Sequence, residues 1–450
     1  MDDISSNIKI RKPLSTFQII VFGFMGIILL GSILLTLPIS SNKAVWTPFV
    51  QALFTATSAV CVTGLVVHDT ATYWSVFGQI IIILLIQIGG MGVVTVAVSL
   101  VRISGKKISL MQRSTMQEAL AAPHVGGMVR LTNYIIKTAL TIELIGAAIM
   151  APTFIKDFGL IKGIYYAVFH SISAFCNAGF DLMGVEAPFS SLVSYSGKAS
   201  ISLTVCALIA AGGIGFLTWE DIKTKRHHFR SYRLQSKVVL ITTLILITVP
   251  TLYFYFIEFA SWSLPMGERV LVSLFQAITP RTAGFNSVDL MKLSEPGKTL
   301  LIALMLIGGS PGSTAGGMKT TTFAVLILTA IAVFRKKHDA EGFGRRITDD
   351  TIRFAAVIFM LYITLFFVSA FIISLVEKLP MLSCLFETAS AIGTVGLSLG
   401  ITPSLTQASW IILICLMFLG RVGGLTLIFA FMPKADVNAS KFPQEKIAVG

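Results

Sequence analysis

LFTATSAVCVTG, from Leu53 to Gly64, decides the fold of this 450-residue chain, because altered copies of the string recur three more times. Each copy has Phe at its second position, a run of small or polar residues and a terminal glycine, and the third copy is one residue shorter. Four similar units in one chain predict a pseudo-fourfold object. In a membrane protein, such an object with a glycine on its axis is most simply a cation pore. The other copies are VFHSISAFCNAG (Val168 to Gly179), LFQAITPRTAG (Leu274 to Gly284) and LFETASAIGTVG (Leu385 to Gly396).

The composition assigns the chain to a membrane. Hydrophobic residues make up 54% of the sequence and charged residues only 13%, and the mean hydropathy is +0.83. Soluble domains usually carry about 25% charged residues. A membrane-spanning helix needs about 20 mostly apolar residues. Eight such stretches lie near residues 17–37, 75–101, 131–155, 199–219, 237–257, 299–334, 351–376 and 408–433.

Each successive pair of spans encloses one copy of the repeated string. The unit is therefore a span, a short helix, a glycine string and a second span. This order predicts an all-α polytopic membrane protein with four helix–pore helix–helix repeats in a pseudo-fourfold arrangement around one pore. The predicted repeats cover residues 13–101, 131–219, 237–334 and 351–433, followed by a cytoplasmic tail at 434–450.

The net charge of +13 is concentrated at the N-terminus and in three loops, each of which follows the second span of a unit. All three loops therefore lie on one side of the membrane, which the positive-inside rule makes cytoplasmic. Both termini are then inside, the glycine strings enter from outside, and the plasma membrane is the expected location. The charge either sets topology alone or also forms a docking face; nucleic acid is not an expected partner, because no nucleic-acid-binding fold accompanies the charge. The basic residues are Lys9, Arg11, Lys12, Arg102, Lys106, Lys107, Arg113, Arg130, Lys223, Lys225, Arg226, Arg230, Arg233, Arg335, Lys336, Lys337, Arg345 and Arg346.

Short helices are predicted before each glycine, at residues 47–59, 163–174, 266–279 and 380–391, with Thr47 as the cap of the first. They are too short to cross a bilayer. A re-entrant helix is tolerated only where the following loop is buried in protein or lines water. Four such helices around one axis aim their C-terminal ends inward, where the helix dipole favours a cation.

The strings after these helices are the candidate selectivity filter. Such a filter lines itself with backbone carbonyls that replace the water around a cation. Glycine permits unusual backbone angles and close approach of four chains. The alternative is that each glycine merely ends a helix, but four copies between paired spans favour the filter. Its residues are Cys61, Val62, Thr63, Gly64, Cys176, Asn177, Ala178, Gly179, Arg281, Thr282, Ala283, Gly284, Gly393, Thr394, Val395 and Gly396.

Glycines also cluster in the second span of every unit. In units one, two and four we interpret them as residues that let helices pack closely. Unit three differs, because its glycines and proline cannot form a stable straight helix, and a break at this depth must face protein or water. We interpret this segment as an intramembrane gate; a nucleotide-binding loop is disfavoured because Met318 separates glycine from Lys319. The gate residues are Gly308, Gly309, Ser310, Pro311, Gly312, Ser313, Thr314, Ala315, Gly316 and Gly317, with Arg421.

Arg421 interrupts the last span about 20 Å along a helix that begins at Ala408. A buried cation at this depth is costly and usually functional. We expect its guanidinium to bond carbonyls of the broken loop. The alternative is that the Arg421 side chain snorkels to the cytoplasmic face and packs there. Lys319 lies closer to the cytoplasmic end of its span and is expected to be interfacial.

The remaining polar residues indicate no catalytic or metal site. Four of them, Lys137, Glu143, His170 and Glu387, are interpreted as partnered polar residues. The five cysteines have no close pairing motif, and His227 and His228 have no matching ligand spacing. No metal other than a transported ion and no covalently bound cofactor is expected, and a membrane enzyme is disfavoured.

Over nearly its whole length the chain resembles the Trk, Ktr and HKT family of potassium transporters. The resemblance rests on SAVCVTG, SAFCNAG, TPRTAGF and SAIGTVG at the four filter positions, of which TPRTAGF (Thr279 to Phe285) is the most specific. The length and the lack of an appended domain are most similar to the bacterial KtrB type of membrane subunit.

The resemblance also implies a substrate, an oligomeric state and a regulatory partner, which the residues alone do not indicate. In the family a glycine in every unit goes with potassium, and Gly64, Gly179, Gly284 and Gly396 fit that pattern. It also implies a homodimer, with Val437 to Gly450 as a candidate contact. A gate needs something to bias it, so we expect a separate cytoplasmic ring, which in the family is a nucleotide-binding RCK-domain protein docking at 102–130, 220–236 and 335–350.

Two questions stay open at this level. Sodium can be an activator or a co-transported ion, and the sequence does not say which. The leading hypothesis is a channel-like potassium uptake subunit. The alternative is a cation-coupled secondary transporter, for example a potassium/sodium symporter, since broken helices also suit that class.

Overall fold

The computed structural model describes residues 14–104, 108–120, 122, 124–431, 443, 445 and 447. Several predictions concern residues outside this part of the chain. These are the basic residues Lys9, Arg11, Lys12, Lys106 and Lys107, and most of the tail at 434–450 with its candidate dimer contact.

The described chain contains eighteen α-helices, six short 3₁₀ helices, one π-helical turn and one small β-hairpin. Unit one contains α1 (Thr16–Thr36), α2 (Phe49–Val60), α3 (Thr70–Tyr73), α4 (Val76–Met91) and α5 (Val93–Ile103), and α6 (Leu110–Leu120) follows it. Unit two contains α7 (Met128–Phe158), α8 (Leu160–Phe175), α9 (Ala199–Gly213) and α10 (Phe216–Lys225). Unit three contains α11 (Leu234–Tyr253), which ends in a π-helical turn (Phe254–Glu258), α12 (Met266–Ile278), α13 (Glu295–Leu306) and α14 (Thr320–Phe334). The strands β1 (Glu341–Gly342) and β2 (Arg345–Arg346) precede unit four, which contains α15 (Asp349–Glu377), α16 (Met381–Gly393), α17 (Gln407–Val422) and α18 (Gly424–Phe431).

The first helix of every unit is a membrane span. α1, α7, α11 and α15 are each long and apolar enough to cross a bilayer. α1 begins sharply because Ser15 and Gln18 form a capping box, in which each side chain bonds the other's backbone N–H. The many large apolar side chains that α15 leaves exposed, such as Phe371 and Leu375, fit a lipid-facing surface.

The predicted pore helices are confirmed as α2, α8, α12 and α16. The predicted cap of the first is wrong: Pro48 is the N-cap, without a side-chain bond, and the Thr47 hydroxyl instead lies 3.1 Å from that of Tyr73. The reason is that Pro48 has extended backbone angles directly before the helix, so Thr47 stands one position too early to cap it.

The second spans of units one, two and four bend, which corrects the prediction of continuous spans whose glycines only aid packing. α4 and α5 are inclined by 97°, α9 and α10 by 95°, and α17 and α18 by 94°. One glycine at each break has a positive φ that other residues rarely adopt: 88° at Gly92, 89° at Gly215 and 92° at Gly423. The predicted packing role is correct for one glycine that precedes each bend. A Cβ atom on Gly89, Gly212 or Gly420 would collide with a backbone carbonyl at the end of the pore helix in the same unit.

Unit three is interrupted as predicted. α13 ends at Leu306 and α14 begins at Thr320, and residues between them fold as an irregular segment.

The four units close into a ring through one recurring contact. The second-span helix of each unit packs against the pore helix of the next: α4 on α8, α9 on α12, α13 on α16 and α17 on α2. The last contact joins the end of the chain to its beginning. The pseudo-fourfold arrangement is therefore present as predicted.

Candidate ion pathway

The structure brings the four repeat glycines together around one opening. A Cβ atom added to any of them would lie closer than 3.0 Å to a backbone carbonyl oxygen of another unit, nearer than Cβ atoms come in proteins. The collisions run in ring order: Gly64 meets the carbonyl of Ala178, Gly179 that of Ala283, Gly284 that of Val395 and Gly396 that of Thr63. The ring therefore consists of glycines separated by carbonyl oxygens, with no space for a side chain.

The strings have an unusual backbone conformation in common. A positive φ occurs at two alternate positions of each string, its second residue and its terminal glycine. For Val62, Thr282 and Thr394, which are β-branched, such angles are genuine outliers. Strain of this kind persists only where the surroundings impose it, and it clusters at functional sites. The φ values are 51° at Val62, 89° at Gly64, 58° at Asn177, 69° at Gly179, 65° at Thr282, 78° at Gly284, 50° at Thr394 and 96° at Gly396.

A hydroxyl near the end of each pore helix holds the string that follows. The Ser58 hydroxyl accepts from the Gly64 N–H at 3.0 Å, and the Ser390 hydroxyl accepts from the Gly396 N–H at the same distance. In units two and three the hydroxyl instead donates beyond the glycine: Ser173 to the carbonyl of Phe180 at 2.7 Å, and Thr279 to that of Phe285 at 2.6 Å. Sequence reasoning missed these residues as site members. The signal was available, because Ser or Thr recurs at this place in all four copies of the string.

Arg281 belongs to the third string, but its side chain turns toward α11. Its Nη2 donates to the hydroxyl of Thr243 at 3.1 Å, and the residue is buried. Its guanidinium therefore lies behind the string, whereas its backbone continues the ring. The amide of Asn177 lies 3.3 Å from the Thr282 hydroxyl and so links strings two and three.

Above the glycine ring lies a cavity of about 310 Å³, lined by all four glycines. Two carboxylates, Asp69 and Asp181, line it as well. Asp69 is fixed in place, because it accepts from the backbone N–H groups of Ala71, Thr72 and Phe189. Burial raises the pKa of Asp181 to about 7, and the charge of Asp69 adds to the rise. The approach to the ring from this side is therefore acidic.

Below the ring, the broken segment of unit three is bound to units two and four. The N–H groups of Ser310 and Thr314 donate to the carbonyls of Gly213 and Gly212 at 3.0 and 3.2 Å. The Gly317 N–H donates to the carbonyl of Gly420 at 3.0 Å. The segment thus lies beside a cavity of about 340 Å³ whose lining includes Pro311, Gly312, Gly317 and Arg421.

Arg421 contacts the broken segment as expected, and it contacts unit one as well. Its Nη1 donates to the carbonyl of Thr314, and its Nη2 donates to the carbonyls of Gly89 and Gly90, the latter at 3.1 Å. The snorkelling alternative does not fit these bonds. Lys319 is not simply interfacial either, since its Nζ donates to the carbonyls of Ala315 at 2.8 Å and Gly316 at 3.4 Å. Sequence spacing did not reveal this contact, because in a continuous helix the Ala315 carbonyl would accept the backbone N–H of Lys319 instead.

Three of the four isolated polar residues have partners. Glu143 accepts from Gln87 at 3.1 Å, and the Nδ1 of His170 lies 2.7 Å from the carbonyl of Tyr166. Glu387 accepts from the hydroxyls of Ser398 and Thr402, the latter at 2.9 Å. Lys137 is the exception: it is exposed, and no side-chain partner for it is found among the described residues. Within the described ranges, no cluster of residues suited to a resident metal occurs.

Four helix–pore helix–helix units arranged around one opening define the fold of a multi-pass membrane protein. The sequence profile of the family described as "TrkH: Cation transport protein" matches residues 11–440. The chain belongs to this family of cation transport proteins, which are ion transporters rather than enzymes.

Individual relatives and a solved structure agree with this membership. The chain is 41% identical to the potassium/sodium uptake protein NtpJ of Enterococcus hirae, over 98% of this chain and 99% of that one. It is 39% identical to the Ktr system potassium uptake protein B of Bacillus subtilis, over 96% of each chain. The potassium transporter TrkH from Vibrio parahaemolyticus has the same fold, with a TM-score of 0.73 at 18% identity, over 95% of this chain and 86% of that one.

Proposed function

We propose that the chain is a channel-like potassium uptake subunit whose selectivity filter is built from the carbonyls of its four glycine strings. The glycine ring is the observation that carries the proposal. Four glycines with carbonyl oxygens between them suit a pathway that replaces the hydration shell of an alkali cation with main-chain oxygens. The membrane potential, negative inside, then drives entry with about 2.3 kcal/mol per charge per 100 mV.

Potassium is the proposed substrate on two grounds. Glycine occupies all four positions that the family resemblance associates with potassium. Potassium is also in the names of the relatives NtpJ and Ktr protein B.

The broken segment at residues 308–317 is the proposed gate, and the side chain of Arg421 holds it to unit one. Arg421 donates to the segment at Thr314 and to unit one at Gly89 and Gly90, so it spans the pathway below the ring. Its positive charge also opposes a cation that enters the lower cavity. Opening requires the segment to leave its carbonyl partners on units two and four.

A cation-coupled transporter is the second candidate. The observation that favours it is the name potassium/sodium uptake protein carried by NtpJ. Potassium flux into liposomes that hold the purified chain distinguishes the two. Passive potassium flow without sodium supports the channel, and flow that stops without a sodium gradient supports coupling.

The test of the filter is Gly284→Ser, measured as potassium and sodium flux in the same liposomes. The new Cβ atom would overlap the carbonyl of Val395, so we expect potassium flux and discrimination against sodium each to fall at least about tenfold, which corresponds to about 1.4 kcal/mol. Gly400→Ser is the matched control, because Gly400 also has a positive φ, 83°, yet a Cβ atom there meets nothing within 4 Å. Unchanged selectivity in Gly284→Ser would place the ion path elsewhere.

The remaining assignments complete the proposal. Both termini are cytoplasmic, the repeats have the boundaries given above, and the chain forms a homodimer in the plasma membrane. A nucleotide-binding RCK-domain ring docks on the basic loops and biases the gate. The uneven distribution of the net charge of +13 supports this orientation.

A further inference from the structure

A pocket of three arginines lies where α5, α6 and α7 meet. Arg102 is on the last turn of α5, Arg113 on α6 and Arg130 on the first turn of α7. They line one cavity of about 470 Å³, together with Gly127, Met128, Val129 and Asn133. Three separate helices thus direct guanidinium groups toward the same space.

The charge of this arginine pocket is not balanced by nearby carboxylates. Within the described part of the chain, no Asp or Glu lies within ion-pairing distance of any of the three arginines. Arg233 in the next basic loop differs, because Glu220 pairs with it at 3.0 Å. Like charges held together without a counter-charge favour an anionic ligand.

The position of the arginine pocket matches the level of lipid headgroups. α7 is a membrane span, so Arg130 in its first turn stands at the membrane–water boundary. The 97° bend turns α5 away from the axis of α4, and Arg102 near its far end reaches the same cavity as Arg130. In the first turn of α6, Leu110 and Met111 are 77% and 42% exposed, although both are apolar. Apolar side chains beside basic ones are the pattern by which a surface helix enters the headgroup region.

The chemistry of the arginine pocket fits a phosphate group. Guanidinium groups bind phosphate through two parallel hydrogen bonds, which ammonium groups cannot form. The N-terminus of α7 adds backbone N–H donors; its N-cap is Gly127, so no side chain caps it, and its first turn has no acidic residue.

We propose that Arg102, Arg113 and Arg130 bind the headgroup of an anionic phospholipid of the cytoplasmic leaflet. The leaflet follows from the proposed topology, whereas the binding does not depend on the ion path. This proposal assigns the arginines of the first basic loop to lipid and leaves the loops at 220–236 and 335–350 to the proposed RCK-domain ring. A lipid is favoured at the first loop because exposed apolar residues, Leu110 and Met111, begin the helix that carries Arg113. Lipid bound here links α5 and α6, which follow the bend of unit one, to the span that begins unit two.

The test uses the purified full chain and the triple variant Arg102→Gln, Arg113→Gln and Arg130→Gln. Phosphatidylglycerol retained by each protein is counted by native mass spectrometry, with zwitterionic phosphatidylcholine as the comparison lipid. We expect the triple variant to retain at least about fivefold less phosphatidylglycerol, with phosphatidylcholine unchanged. The matched control changes Arg335, Lys336 and Arg345 to Gln, which removes the same charge from a cytoplasmic loop without such a pocket, and it should retain the lipid.

Three outcomes would overturn the proposal. The first is equal phosphatidylglycerol retention by the triple variant. The second is displacement of the lipid by millimolar inorganic phosphate, which would indicate a site for a soluble anion. The third is normal lipid retention with lost binding of an RCK-domain protein, which would make the pocket a protein contact. If the Gln variant elutes as an aggregate, the Arg→Lys triple decides instead: it keeps the charge but loses the paired hydrogen bonds, so retention should still fall, and unchanged retention would contradict the proposal.

Discussion

At the scale of single residues, the hydroxyl groups at the ends of the pore helices are as informative as the glycines. Ser58, Ser173, Thr279 and Ser390 are fully buried, and each bonds the backbone of its own string. They satisfy polar groups that the strained strings would otherwise leave unpaired. A buried N–H without a partner costs about 1–3 kcal/mol, which is large compared with the differences that select between similar ions.

Ser390→Ala tests this support. The change leaves the Gly396 N–H without its acceptor, so we expect a fourth string that is less stable by about 1–3 kcal/mol and weaker discrimination between potassium and sodium. Ser390→Thr should preserve both, because it keeps a hydroxyl that can accept from the Gly396 N–H. The measurement is the ratio of potassium to sodium flux in liposomes. A ratio in Ser390→Ala equal to that of the unchanged protein would show that the hydroxyl is dispensable.

Asp181 predicts a dependence on external pH. Its raised pKa of about 7 means that its negative charge is present above that pH and is lost as the outer medium is acidified through it. Because a carboxylate at the mouth concentrates cations, we expect uptake at low potassium to fall about two- to tenfold upon acidification.

Asp181→Asn should give the low rate at every external pH, and Asp289→Asn should behave as the unchanged protein, since Asp289 is exposed and does not line the cavity. Initial rubidium uptake against external pH, with internal pH held constant, provides the measurement. A full pH dependence in Asp181→Asn would assign the titration to another group.

At the scale of elements, the bends of the second spans connect the units to the gate. The bend in unit two is in direct contact with the broken segment, since the Phe216 N–H donates to the carbonyl of Gly312 at 2.7 Å. The bends in units one and four have the same backbone angles, but a Cβ atom on Gly92 or Gly423 meets only a threonine hydroxyl, at 3.7 Å.

This difference permits a matched pair of variants. Gly215→Ala and Gly423→Ala impose similar backbone strain of about 1–2 kcal/mol, because φ is 89° and 92° at these positions. Only in Gly215→Ala does the new methyl group also approach a gate carbonyl, that of Pro311 at 2.6 Å. We expect both variants to melt at lower temperature and only Gly215→Ala to raise passive potassium leak. Equal leak in both would mean that the bend of unit two does not hold the gate.

The sequence predicts the pore helices well because each is marked by its own copy of the string. It does not predict the bends, because glycines a few residues apart have different roles: Gly89 faces a carbonyl, whereas Gly92 turns the chain. Residue type alone cannot separate these roles. The contacts of Arg421 with Gly89 and Gly90 could not be predicted from the sequence for a different reason. They join the last unit to the first, which become neighbours only when the ring closes.

At the scale of the whole molecule, the described chain contains the proposed pathway and the proposed gate but no folded domain outside the membrane units. The proposed regulatory ring supplies the missing control. We therefore expect the purified chain to carry potassium into liposomes at a rate that nucleotides do not change. Addition of its RCK-domain partner should make that rate depend on nucleotide. A nucleotide response of the chain by itself, measured as rubidium flux, would contradict this division of roles.

The closure of the ring from a single polypeptide has a consequence for how ion preference can change. In a channel assembled from identical subunits, one codon alters every position around the axis at once. Here Gly64, Gly179, Gly284 and Gly396 are encoded separately, so mutation can reshape one quadrant while three retain their form. Selectivity in such a protein can drift in small, asymmetric steps.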